Sequence, residues 1–97
     1  MKNNQFHVGE LVQSLKGRDE GRVYMVYKII DNDYVSLVDG NFKLQQNPKL
    51  KKTKHMKTLS ITLDKIKNKL LNNIKVFDSE IYSAMKKAQE QKPNGSC

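Results

Sequence analysis

"SLKGRDEGRVYMVYKII", residues 14–30, sets a charged loop directly against an apolar run. Two glycines, Gly17 and Gly21, bracket the charged triplet Arg18-Asp19-Glu20, and a run dominated by Val, Tyr and Ile follows at once. Glycine permits the left-handed backbone of a tight turn and lets a partner backbone approach closely. β-branched and aromatic residues fit a strand. The stretch therefore reads as a loop feeding a strand over 22–30. On its other side, Leu11-Val12 and Leu15, entered through Val8-Gly9, read as the preceding strand.

Beyond this strand, Asp31-Asn32-Asp33 is turn chemistry, Tyr34 to Val38 a third strand, and Asp39-Gly40 a hairpin signal. Phe42 to Leu44 is then expected as a short fourth strand. From Gln45 to Lys57 the pattern stops: "QQNPKLKKTKHMK" holds Pro48, five lysines and no acid. It reads as a basic loop, with His55 to Leu59 returning as a closing strand. Short strands ended by Gly or Asx favour a small barrel, because closure removes exposed edges.

After Ser60 the period changes. Leu63, Ile66, Leu70 and Leu71 share one helical face, which predicts a helix over 62–74 with Thr62 as N-cap and Asp64 suiting the helix dipole. Asp78 is expected to cap a second helix whose apolar stripe is Ile81, Ala84, Met85 and Ala88, ended by Pro93-Asn94-Gly95. The expected architecture is mainly β with an α extension: a barrel over 8–60, a helical hairpin over 61–92, and flexible ends at 1–7 and 93–97.

Charge is concentrated. The 97 residues carry a formal net charge of +8, and residues 41–75 hold ten lysines against the single acid Asp64. Such a balance favours a polyanionic partner, nucleic acid first. No apolar run reaches the length of a membrane span, and the start MKNNQFH does not read as a signal peptide, so a cytoplasmic protein is expected. The lysine-bearing helix at 62–74 lacks the Trp and Phe of a membrane-surface helix. Cys97 stands alone, and His7 and His55 have no Cys or carboxylate at ligand spacing, so neither metal nor cofactor is expected. No Ser/His/Asp arrangement is visible, which argues against catalysis.

"SLKGRDEGRVYMV", "DYVSLVDG" and "NPKLKKTKHMK" occur in this order. Together they resemble successive segments of the KOW-domain proteins, and within them the large-subunit ribosomal protein fourteen family of the archaeal and eukaryotic type. The resemblance covers roughly residues 8–60. The tail looks more like the extension of bacterial relatives. It implies an SH3-like barrel that binds RNA, usually ribosomal RNA on the large subunit, without catalysis, with ribosomal proteins as further neighbours.

By position, the resemblance assigns RNA contact to Lys16, Gly17, Arg18, Gly21 and Arg22 in the opening loop. It assigns Lys49, Lys51, Lys52, Lys54 and His55 in the lysine segment, and Lys43 and Lys57 extend the set. Glu20 departs from the pattern, standing where such loops often carry lysine. Tyr24, Tyr27, Tyr34, Phe42 and Phe6 could stack on bases, but most read as core. The rival reading is an SH3-like protein-interaction module on transcription or translation machinery, touching its partner through helix residues such as Ile66, Leu70 and Ile81.

Overall fold

The computed structural model describes residues 6–90. Its elements are β1 (Glu10–Ser14), β2 (Val23–Ile29), β3 (Tyr34–Val38), β4 (Lys49–Lys52), a 3-10 turn (Thr53–His55), β5 (Met56–Thr62), α1 (Asp64–Leu71) and α2 (Asp78–Glu90). The five strands form one antiparallel sheet in the order β4-β3-β2-β1-β5.

Alternation along the strands feeds two separate cores. Leu11, Met25 and Val38 point to one face, where Leu63, Ile66, Val76, Ile81 and Met85 cover them. Val12, Tyr24, Val26, Val35, Leu37 and Met56 point to the other. Among the described residues no helix covers this second face, yet Val12, Val26, Val35 and Leu37 are fully buried. The sheet achieves this by curling over itself. Lys51 on the edge strand β4 reaches the loop after β1, although β3 and β2 lie between them in the sheet.

The expected barrel is not closed. The ladder ends at β4 and β5, which are joined through the 3-10 turn and not paired to each other. Lysines at both edges discourage pairing with a second chain.

The expected fourth strand at Phe42–Leu44 is absent. Asp39 Oδ1 accepts the backbone N–H groups of Asn41 and Lys43, and Lys43 O accepts those of Asp39 and Gly40. With these groups spent locally, the segment is a turn. The fourth strand lies instead inside the lysine stretch, at Lys49–Lys52. Lysines fit a strand here because only alternate side chains turn inward, and those two find a carboxylate. The closing strand starts at Met56, later than expected, and extends through Thr62.

Because Thr62 pairs with Glu10 in the ladder, it cannot cap α1. Leu63 takes that position, without a side-chain bond, and its N–H donates to Gly9 O. At the far end, Asn73 adopts φ 58°. Ile74 N–H returns to Lys69 O at 2.8 Å and Asn73 N–H to Leu70 O, a Schellman closure that stops the helix before residue 74. Asp78 begins α2 but does not cap it: its Oδ1 accepts Gln45 N–H at 2.9 Å. The apolar stripe of α2 falls as expected, with Ile81 and Met85 buried and Ala84 and Ala88 packed beside them. Lys69 of α1 donates to Glu80 of α2, which holds the Glu80 carboxyl below its usual range.

Among the ends expected to be flexible, Phe6 packs against the Val12 cluster and His7 N–H donates to Glu10 Oε1. An apolar ring within reach of that core explains why these two residues belong to the fold. Residues 1–5 and 91–97, including Pro93-Asn94-Gly95 and Cys97, lie outside the described residues.

Candidate nucleic-acid interface

The loop between β1 and β2 is built around Asp19. Its Oδ1 accepts Ser14 Oγ–H at 2.9 Å and Lys51 Nζ–H at 3.0 Å, and its Oδ2 accepts Tyr24 Oη–H at 3.0 Å. Lys49 Nζ approaches Oδ2 at 3.6 Å. Burial opposes ionisation of this carboxyl. The bonds from Lys51, Ser14 and Tyr24 and the Lys49 charge outweigh it and hold the group well below the usual carboxylate range. Burial and the Asp19 charge in turn push the Tyr24 phenol up.

Backbone bonds complete the loop. Glu20 N–H donates to Gly17 O, Arg22 N–H to Asp19 O, and Gly21 N–H to Ser14 O. Gly17 and Gly21 have φ near +90°, which is why this loop carries glycine at both places. A Cβ at Gly21 would meet nothing within 4 Å, so its requirement is conformational and its surface stays open.

The twelve residues expected at the interface fall into three groups. Lys16, Lys52, Lys54 and His55 form one cluster. Leu15 N–H donates to His55 O, tying the start of the loop to the 3-10 turn. Partial burial and the ammonium groups of Lys16, Lys54, Lys51 and Lys52 push the His55 imidazole below its ordinary value. Gly17 and Arg18 stand exposed at the adjoining loop tip.

Lys49 and Lys51 form the second group, turned inward to Asp19. The Lys51 side chain is only 10% exposed, and its ammonium also donates to Lys16 O at 2.8 Å. It serves the loop's architecture. The remainder stand apart: Gly21 and Arg22 on the opposite flank of the loop, Lys43 in the β3–β4 connection, and Lys57 exposed on β5.

Arg22 does not pair with the neighbouring acids. Its guanidinium lies 4.5 Å from the centroid of the Phe42 ring. Phe42, expected on a fourth strand, is 69% exposed because the Asp39 turn lifts it out of the sheet. Tyr24 is core, Tyr27 packs partly on the helix-side core, and Tyr34 carries Lys52 Nζ at 5.9 Å from its ring.

The helix residues expected to touch a protein partner are mostly unavailable. Ile66 and Ile81 are buried, since their stripe faces the sheet, and Leu70 is half-buried. Sequence reasoning missed Asp19, whose role depends on lysines thirty and thirty-two residues away. It also missed Tyr82 and Lys86, which α2 brings beside Phe42.

Among the described residues, no group of three or more His, Cys, Asp or Glu could hold a metal, and no helix is long and apolar enough to cross a membrane. No protein-family model and no curated protein matches this chain.

Proposed function

We propose that this chain is a KOW-type, SH3-like domain that binds RNA without catalysis, with ribosomal RNA or the large ribosomal subunit as its first candidate partner in translation. The observation that carries the reading is the convergence of Lys16, Lys52, Lys54 and His55 from three elements beside a rigid loop whose tip bears Arg18. Among the described residues no ion pair engages these lysines, since Asp19 is spent on Lys49 and Lys51, and Asp33 is the one carboxylate that shares a cleft with Lys52 and Lys54. The β1–loop–β2 unit and a sheet curled around its own core support the SH3-like part of the reading, in an open sheet whose edge strands β4 and β5 do not pair.

Backbone and shape, more than base edges, suit such a surface. Its exposed lysines neutralise phosphates, and each neutralised phosphate steepens the salt dependence of binding by about 0.7 to 0.9 in log–log slope. The test is sedimentation of extract through sucrose at low and high salt, with crosslinking. Co-migration with the large subunit, released by salt, and crosslinks from Lys52, Lys54 and Arg18 to RNA support the reading. Retention at the top of the gradient at low salt, with no RNA crosslink, overturns it.

The protein-interaction reading keeps one specific support. Ile29, Leu71 and Ile74 are each more than 40% exposed and line an open groove between β2 and the end of α1. Salt-tolerant binding lost on Leu71→Ser would favour it.

A further inference from the structure

On the opposite flank of the β1–β2 loop from the lysine cluster lies an open cleft of about 600 Å³. Gly21, Arg22 and Val23 form one wall, Phe42 the rim, and Tyr82, Met85 and Lys86 of α2 the other wall. The volume falls within the roughly 300–1,000 Å³ of small-ligand sites. Two aromatic rings line it and both reach solvent, Phe42 at 69% and Tyr82 at 43%. Arg22 covers one face of Phe42, and the ring's large exposure leaves its other face open.

Charge distinguishes this cleft from the lysine cluster. Arg22 and Lys86 are offset by Asp39 and Glu90, so the lining has no formal excess of either sign. That suits a flat, polar, uncharged ring better than a phosphate. The Gln89 amide N–H is already donated to Met85 O, and Asp39 holds the Phe42 turn, so the polar edges are fixed before a ligand arrives.

Position supplies the rest. Gln13 pairs with both Val23 and Lys57, so these three side chains share one face of the sheet. Lys57 therefore sits two strand spacings, about 10 Å, from the Val23 wall. Lys16 to Arg22 runs from the lysine cluster to the cleft. The one loop thus borders both the lysine cluster and the cleft.

Resting on the RNA-binding reading above, we infer that this cleft receives one unstacked nucleobase of single-stranded RNA, stacked on Phe42 and Tyr82. Stacking on an aromatic ring tolerates any base identity, so the cleft selects for an unpaired nucleotide and not for sequence.

The experiment measures binding of single-stranded oligoribonucleotides and a duplex of equal length across a salt series, for the wild-type protein, Phe42→Leu and Lys52→Ala/Lys54→Ala. One oligonucleotide carries 2-aminopurine, whose fluorescence falls on stacking. Phe42→Leu is expected to weaken single-strand binding roughly 5- to 150-fold, leave the salt slope and duplex binding unchanged, and reduce the quenching, with Tyr82 the ring that remains. Phe42 is exposed, so the fold survives the change, and an unaltered melting curve checks this. Lys52→Ala/Lys54→Ala should instead flatten the slope for every RNA. Steep salt-dependent binding with wild-type quenching and affinity in Phe42→Leu overturns the base site while the RNA reading stands. Absence of binding by the wild-type protein to any RNA overturns both.

Discussion

Lys51 on the edge strand β4 donates to Asp19 in the β1–β2 loop at 3.0 Å, across 32 positions of sequence. The contact draws the far edge of the sheet over the Val12 core, and Asp19 also fixes Ser14 and Tyr24. Asp19→Asn keeps the shape but leaves Lys51 facing a neutral amide. The expected loss is on the order of 2–3 kcal/mol, below the ~3–5 for a fully buried pair, because some solvent reaches both groups. Urea unfolding measures it.

The same carboxyl sets an acid limit. Its folded pKa lies below the ordinary ~3.9 of an unfolded Asp, so its contribution is complete well above that value and is lost as pH falls through and below it. Stability of the wild-type protein should drop below about pH 4. Asp19→Asn should flatten that limb, as read by melting temperature against pH.

Lysines at alternate positions of one strand should behave differently. Lys51→Ala should reduce stability and leave the salt slope of RNA binding nearly unchanged, since Lys51 faces inward. Lys52→Ala, on the exposed side, should lower the slope by about 0.7 to 0.9 and leave stability within about 0.5 kcal/mol.

Gly40 has φ +78°, and a Cβ there would overlap the Asp78 carbonyl oxygen and sit 2.7 Å from Tyr82 N. Gly40→Ala must push α2 away, at a cost of about 3 kcal/mol or more, combining backbone strain with lost packing. Gly21→Ala meets only the strain of its positive φ, about 1–2 kcal/mol. Chemical denaturation of the two variants should rank them in that order.

His55 should titrate below its ordinary value in the free protein, because partial burial and four nearby lysines disfavour its charge. Phosphates bound to those lysines reverse the field and raise its pKa, so affinity should increase as pH falls through the imidazole range. NMR titration of the ring with and without RNA reads the shift directly.

Local signals were the legible ones. Gly17 and Gly21, the apolar run at 23–29 and the helical stripe from Ile81 announce their elements through spacing alone. Where long-range partners decide, spacing misleads. Lys49–Lys52 is a strand because β3 pairs with it and Asp19 receives its inward ammonium groups, neither of which is visible in a run of lysines. Phe42 read as a strand residue because the turn that ejects it depends on the Asp39 carboxylate bonding two amides. At the site, the clustering of lysines in the chain was plain. Which of them face solvent was not, since one residue of register reverses every side chain.

Neighbouring residues such as Leu11 and Val12, or Met25 and Val26, serve opposite cores through the same stretch of backbone. Neither core can loosen without disturbing strands that the other relies on. The helical tail is thus no detachable ornament: deleting it would strand Leu11, Met25 and Val38 in water. Denaturation followed at Tyr24 on one side and through α-helical content on the other should give a single coincident transition.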